Sequence, residues 1–254
     1  MEIKKYKKSK NNVYELEISK VLKVKLYDDV IVKYNLLLKK NITDKELKEI
    51  INFNDELESY YLALKYISKK LRSEKEVIEY LKKNSYNSVI IEKTINRLKK
   101  YNYLNREVYI KSFINDRYNF SYDGPNKIKR KLNELGFSDD EIIPFMDIDY
   151  QNKIEKIIDK KVSNNHKLSN NMLKQNISNY LINLGYPKDM FIDYLDKINI
   201  NNKEYLIKDL EKLINKYKNK YNDKELRYVL KNKLFTKGYS TEEIEEVLNE
   251  ELLK

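Results

Sequence analysis

Cysteine and tryptophan are absent from this 254-residue chain, histidine occurs once, at His166, and there are only four glycines and three prolines. Without thiols there can be no disulfide staples and no Cys-His zinc framework, so no metal and no cofactor is expected. Four isolated glycines cannot form a phosphate-cradling loop, which disfavours nucleotide hydrolysis. His166 stands in the polar run Ser163-Asn164-Asn165-His166-Lys167 and reads as an exposed loop residue rather than a base. Acidic neighbours such as Asp139 and Asp140 are accounted for as favourable charges at a helix start. No catalytic residues are assigned, and a non-enzymatic protein is expected. No apolar run approaches the ~20 residues that span a bilayer, and the basic start is not followed by a signal-like apolar segment. A soluble, cytoplasmic, monomeric protein with no membrane contact is expected.

Positive charge is abundant instead. Fifty-one Lys and Arg against 40 Asp and Glu leave a formal +11, enough to draw the chain towards polyanions. Residues 1–27 hold eight Lys and three Glu. Further clusters lie at Lys69/Lys70/Arg72, Lys82/Lys83, Arg97/Lys99/Lys100 and Lys127/Lys129/Arg130/Lys131, whereas the C-terminal stretch carries Glu242, Glu243, Glu245, Glu246, Glu250 and Glu251. Tyrosines interleaved with the basic helices, among them Tyr80, Tyr86, Tyr101 and Tyr118, have the chemistry to stack on bases beside phosphate-binding cations. The same residues serve equally as solvated helix faces and packing rings.

The chain is internally repeated. Leu81-Ser85-Tyr86, Leu132-Gly136-Phe137, Leu181-Gly185-Tyr186 and Leu234-Gly238-Tyr239 share one spacing, and their aromatics are 51, 49 and 53 residues apart. An apolar residue precedes each leucine by four (Val77, Ile128, Ile177, Leu230), so each copy holds a short amphipathic helix ending at a small-residue turn suited to a left-handed cap. Leu81, Tyr86, Leu132, Gly136, Phe137, Leu181, Gly185, Tyr186, Leu234, Gly238 and Tyr239 are therefore assigned to the scaffold. A first helix precedes the central one in each copy, near 55–69, 105–119, 151–163 and 203–217. A third follows the turn: Ser138…Glu141 and Ser240…Glu243 have the form of capping boxes opening onto Ile142/Ile143/Phe145/Met146 and Ile244/Val247/Leu248. Ile91/Ile95/Leu98 form the matching stripe of the first copy, and Pro187 opens the third helix of the third copy.

Residues 13–27 alternate charged and apolar side chains with the period of half-buried strands, and 1–8 add a short first strand. Segments 29–36 and 44–51 read as helices, the second opened by the Thr43…Glu46 box. The predicted fold is mainly α: tandem three-helix repeats forming a curved array, with a small N-terminal α/β cap. The expected boundaries are 1–52 for the cap and 53–102, 103–149, 150–199 and 200–254 for the four repeats.

Lys70-Leu71-Arg72-Ser73-Glu74-Lys75-Glu76-Val77, Tyr80-Leu81, Ile91 through Leu98 and Tyr103-Leu104 resemble the first repeat of the RecX family, bacterial regulators of the RecA recombinase. Gly124-Pro125-Asn126-Lys127-Ile128, Leu132 and Leu135-Gly136-Phe137 resemble the second. The N-terminal region and the later copies are similar to the extended Gram-positive form. Against the family pattern, Asn105, Arg106, Val108 and Tyr109 replace two acidic residues and a Phe-Ala pair, Lys70 stands for Arg, and Lys131 stands for Glu.

The resemblance implies a regulator acting in homologous recombination, DNA repair and the SOS response. It would lie in the groove of the RecA filament on single-stranded DNA, touching the DNA directly or through RecA, and would modulate, on balance inhibiting, strand exchange and ATP turnover. Lys70, Arg72, Lys82, Lys83, Arg97, Lys99, Lys100, Arg117, Lys127 and Arg130 are the expected contacts. Two other readings use the same features: a nucleic-acid-binding protein independent of RecA, and a scaffold for a different protein.

Overall fold

The computed structural model describes residues 1–8, 13–18, 22–165 and 167–252; Val21 and His166 lie outside them. The chain divides into two compact units, one of residues 1–112 with 132–141, the other of 113–131 with 142–254.

The first unit opens with strands β1 (Ile3–Lys8), β2 (Val13–Ile18) and β3 (Leu22–Tyr27), an antiparallel sheet in the order β1-β2-β3. Alternation places Leu16, Ile18 and Leu26 in the core, where they meet Val30 and Ile31 of α1 (Asp28–Lys33) and Leu47, Ile50 and Leu57 of α2 (Asp44–Ile67). Glu15 stands opposite Lys7 and Lys25, and Glu17 opposite Lys23. An acidic middle strand between basic neighbours thus balances much of the N-terminal positive charge locally.

In place of the two helices expected at 44–51 and 55–69, one helix of 24 residues runs through both segments. Asn52–Asn54 does not break it. Asn54 is buried, and its Oδ1 accepts the Tyr27 amide at 3.0 Å, so the asparagine ties helix to sheet. The full Thr43–Glu46 capping box starts α2. Its second half packs Tyr60 and Ala63 against Val77 and Leu81 of α3 (Glu74–Lys83) and Ile91, Ile95 and Leu98 of α4 (Ser88–Lys100). A buried hydrogen bond joins Ser59 to Thr94 in this core.

Helices α5 (Arg106–Phe120), α6 (Pro125–Glu134) and α7 (Asp139–Ile142) fall where the second repeat is expected, and the division into units cuts α5 and α6 rather than an expected repeat boundary. The third has α8 (Gln151–Ser163), α9 (Asn170–Leu184) and α10 (Ile192–Asp196), and the fourth α11 (Lys203–Tyr217), α12 (Asp223–Thr236) and α13 (Thr241–Leu252). The expected third helix of the second repeat is cut to four residues and a 3-10 turn, Ile143–Phe145. Pro144 is the cause: it lacks an amide, clashes with the carbonyl one turn back, and disfavours helical backbone at Ile143. Of the predicted stripe there only Ile142 is buried. Pro187 likewise precedes a single 3-10 turn, Lys188–Met190, before α10.

The four central helices end in the same way. Ser85, Gly136, Gly185 and Gly238 have φ of 66°, 90°, 92° and 83°. In each copy the aromatic amide donates back to the leucine carbonyl: Tyr86 to Leu81 at 3.3 Å, Phe137 to Leu132 at 3.2 Å, Tyr186 to Leu181 at 3.0 Å and Tyr239 to Leu234 at 3.4 Å. This six-to-one bond closes the helix and turns the ring inwards. Leu81, Leu132, Leu181, Leu234, Phe137, Tyr186 and Tyr239 are buried, and Tyr86 is half-buried.

Candidate functional site

The seven candidate cations of the first repeat fall into two groups. Glu74, at the start of α3, receives Lys99 at 2.9 Å, so the end of α4 abuts the start of α3. Lys70, Arg72, Arg97, Lys99 and Lys100 belong to that end. Lys82 and Lys83 lie at the other, roughly 13 Å away by helix rise. There they complement the negative end of the α3 dipole.

Within the first group the arginines are committed to the fold. Arg72 pairs with Glu76 at 3.0 Å, and its guanidinium lies 4.0 Å from the centre of the Tyr66 ring, which stacks on Tyr80 at 4.0 Å and 7°. Burial alone would raise the Glu76 carboxyl, but the Ser73 amide and Arg72 outweigh it and hold it below the usual carboxylate value. Arg97 covers the Tyr60 ring at 4.0 Å. Lys70 is exposed and only 3.9 Å from Glu76. Lys82, Lys83 and Lys100 are exposed and have no acidic partner among the described residues.

The other candidates belong to the second unit. Asp123 is buried and meets Lys127 at 2.8 Å, Lys131 at 2.6 Å and Arg117 at 3.8 Å. Burial pushes its carboxyl up, yet hydrogen bonds from Lys127 and Lys131 prevail and keep it below its ordinary value. Arg117 and Lys127 are thus engaged within the fold; Arg130 lies on the surface. Of the tyrosines singled out for stacking, Tyr80 is covered by Tyr66 and Tyr118 lies edge-on to Tyr150. Tyr101, which follows Lys100 in the chain, is exposed, and so is Tyr103.

Sequence reasoning missed Arg106. Its guanidinium grips both oxygens of Glu141, at 2.5 and 2.7 Å, donates to the Gly136 carbonyl at 2.8 Å, approaches Glu74 at 3.6 Å and covers the Phe137 ring at 4.6 Å. Two neighbouring positions are used as fully. Asn105 Oδ1 accepts the Val108 amide at 3.0 Å and so caps α5, and Tyr109 stacks on Phe137 at 5.2 Å. The acidic-to-basic change at 106 therefore has its matching acids in α3 and α7, at sequence distances no local pattern discloses.

Residues 60–98, from the second half of α2 into α4, match the model of the first three-helix domain of RecX. The chain is 31% identical over 257 residues to the regulatory protein RecX of Streptococcus uberis, across 98% of this chain and 99% of that protein. It belongs to the RecX family. The RecX of Streptococcus agalactiae serotype III is 32% identical over 263 residues, covering 99% of this chain and all of its relative. A crystal structure of regulatory protein RecX shares the fold with a TM-score of 0.66 at 16% identity, covering 78% of this chain and all of that one. The segment matched by the RecX domain model contains Lys82, Lys83 and the Arg72–Glu76 pair. No helix among the described residues is long and apolar enough to cross a membrane.

Proposed function

We propose that this RecX-family chain regulates the RecA recombinase, acting in the cytoplasm as a monomer within the groove of the RecA filament on single-stranded DNA, where it lowers strand exchange and ATP turnover. The observation that carries the reading is the set of cations the first repeat leaves unspent: Lys82, Lys83 and Lys100 are exposed and lack acidic partners among the described residues. Together with the weakly paired Lys70, they are the candidates able to surrender their hydration to an anionic surface without dismantling the fold. Arg72, Arg97, Arg117 and Lys127 serve chiefly to shape the units that present them. Regulation follows if the chain binds one filament state more tightly than another, since only differential affinity shifts an equilibrium.

The test is RecA ATPase and filament lifetime on single-stranded DNA, titrated with the wild-type chain and with a Lys82→Gln/Lys83→Gln/Lys100→Gln variant. Slowed turnover below one chain per RecA, lost in a variant that remains fully folded at the assay temperature, is expected. A variant as active as the wild type removes these lysines from the interface, and a wild-type chain without effect on RecA sinks the reading. The exposed Tyr101 and Tyr103, just after Lys100 in the chain, favour a second reading, nucleic-acid binding independent of RecA. It would show as salt-sensitive affinity for bare DNA with RecA turnover untouched.

A further inference from the structure

In the second unit, the segment before α6 and helices α8 and α9 enclose a hollow of about 230 Å³. Tyr122, Lys156, Ile157, Lys160, Lys161 and Tyr180 line it. Ile157 is buried and forms an apolar floor. The two walls differ in chemistry. Tyr122 is 55% exposed, and its ring has no hydrogen-bond or ring partner among the described residues. Tyr180 is covered by the Lys161 ammonium at 4.0 Å, which fixes that charge at the edge of the hollow. Lys156 and Lys160, one turn apart on α8, add two cations with no acidic partner among the described residues.

Glu155 and Asp159 of the same helix line a separate hollow with Tyr194 and Lys197, whereas this one is lined by no carboxylate. Positive charge alone would accept any polyanion. An open aromatic face and an apolar floor beside three lysines of one helix select for an anion that also presents a flat apolar ring.

We infer that this hollow is a binding site for single-stranded nucleic acid. One unstacked base would lie on Tyr122 above Ile157, with the adjoining phosphates held by Lys156, Lys160 and Lys161. Duplex DNA keeps its bases stacked inside the helix and would meet only the lysines. The site goes beyond the filament reading, since it places a strand on the second unit rather than on the lysines of the first repeat. Its test uses protein and oligonucleotide alone, so its failure leaves the proposed action on RecA standing.

The chain has no tryptophan, so Tyr122→Trp introduces a single reporter that preserves an aromatic platform. In the full chain, an oligothymidylate of about twelve nucleotides is expected to quench that fluorescence saturably. An abasic oligomer of equal charge, a duplex, and polyglutamate should do so far less. By oligonucleotide anisotropy, Tyr122→Ala should weaken binding about tenfold, as expected for the loss of one base–aromatic stack. Lys156→Gln/Lys160→Gln/Lys161→Gln should flatten the salt dependence by about two units of log–log slope. Both variants should keep the wild-type melting temperature, because the altered side chains are exposed. Absence of oligonucleotide binding overturns the proposal. So does binding that neither variant weakens, quenching equal for duplex and single strand, or quenching equal for polyglutamate, which would assign the hollow to an acidic protein segment.

Discussion

Arg106 and Glu141, 35 residues apart, face each other as a two-bonded guanidinium–carboxylate pair, with Nε to Oε1 at 2.5 Å and Nη2 to Oε2 at 2.7 Å. Arg106 and the Ser138 amide together hold the Glu141 carboxyl down to about 2. A carboxylate depressed in the folded state contributes stability that is fully present above its unfolded value near 4.5 and is lost as pH falls towards the folded value. Arg106→Met should therefore lower stability at pH 7 by about 1 kcal/mol, a modest figure because both side chains are about a third exposed. Thermal melts of the two proteins from pH 7 down to pH 2.5 should converge below about pH 4.5. A gap that stays constant with pH would assign the effect to lost packing on Phe137 instead.

Ser85 is the one turn residue of its set that carries a Cβ at positive φ. Ser85→Gly should raise stability by about 0.5–1 kcal/mol, the strain relieved being partly offset by a more flexible unfolded chain. Urea unfolding would read this as a higher midpoint with unchanged slope. A lower midpoint would mean that the serine side chain stabilises the turn in a way its backbone geometry does not reveal.

Gly124 and Gly185 touch through their backbones. The Gly124 amide donates to Leu184 at 2.7 Å, and a Cβ on Gly124 would stand 2.6 Å from the Gly185 carbonyl carbon. At Gly185, where φ is 92°, a Cβ would fall 2.5 Å from that of Lys127. Gly124→Ala should cost about 1–3 kcal/mol through overpacking, and Gly185→Ala at least as much because backbone strain is added. Calorimetric melting of both variants checks the order.

Asp123→Asn should destabilise by about 3 kcal/mol, since it removes the carboxylate that holds Lys127, Lys131 and Arg117 in one place. Adding Lys131→Glu should restore part of the loss by supplying an acid to the remaining cations. Denaturant melts of the single and double variants measure the recovery, and none at all would show that Lys131 is not coupled to the cluster.

Much of the fold is legible in the residue order because helix ends are decided within a few residues. The left-handed turn after Leu132, Leu181 and Leu234 favours a glycine, and the boxes at Thr43 and Ser240 use an acid three residues on. Two misreadings have the opposite origin. Asn52–Asn54 resembles a break until the Tyr27 amide is seen to use Asn54, and the stripe after Ser138 looks helical until Pro144 is weighed against it. Which cations remain available was legible only in part. Arg72–Glu76 and Asp123–Lys127 are four residues apart and readable from spacing, whereas the pairing of Lys99 with Glu74 and of Arg106 with Glu141 is not.

The order of residues by itself determined the fourfold repeat, the turns that close its central helices and the surplus of positive charge, because backbone sterics and short-range hydrogen bonds act over four or five positions. Beyond the pairs four residues apart, such as Arg72–Glu76 and Asp123–Lys127, the tertiary structure decided how that charge is divided between internal pairs and open surface. Arg106 meets Glu141 and Glu74, and Lys161 meets Tyr180, only because folding brings separate helices to within hydrogen-bond or ring-contact distance, and electrostatic attraction depends on that separation rather than on distance along the chain.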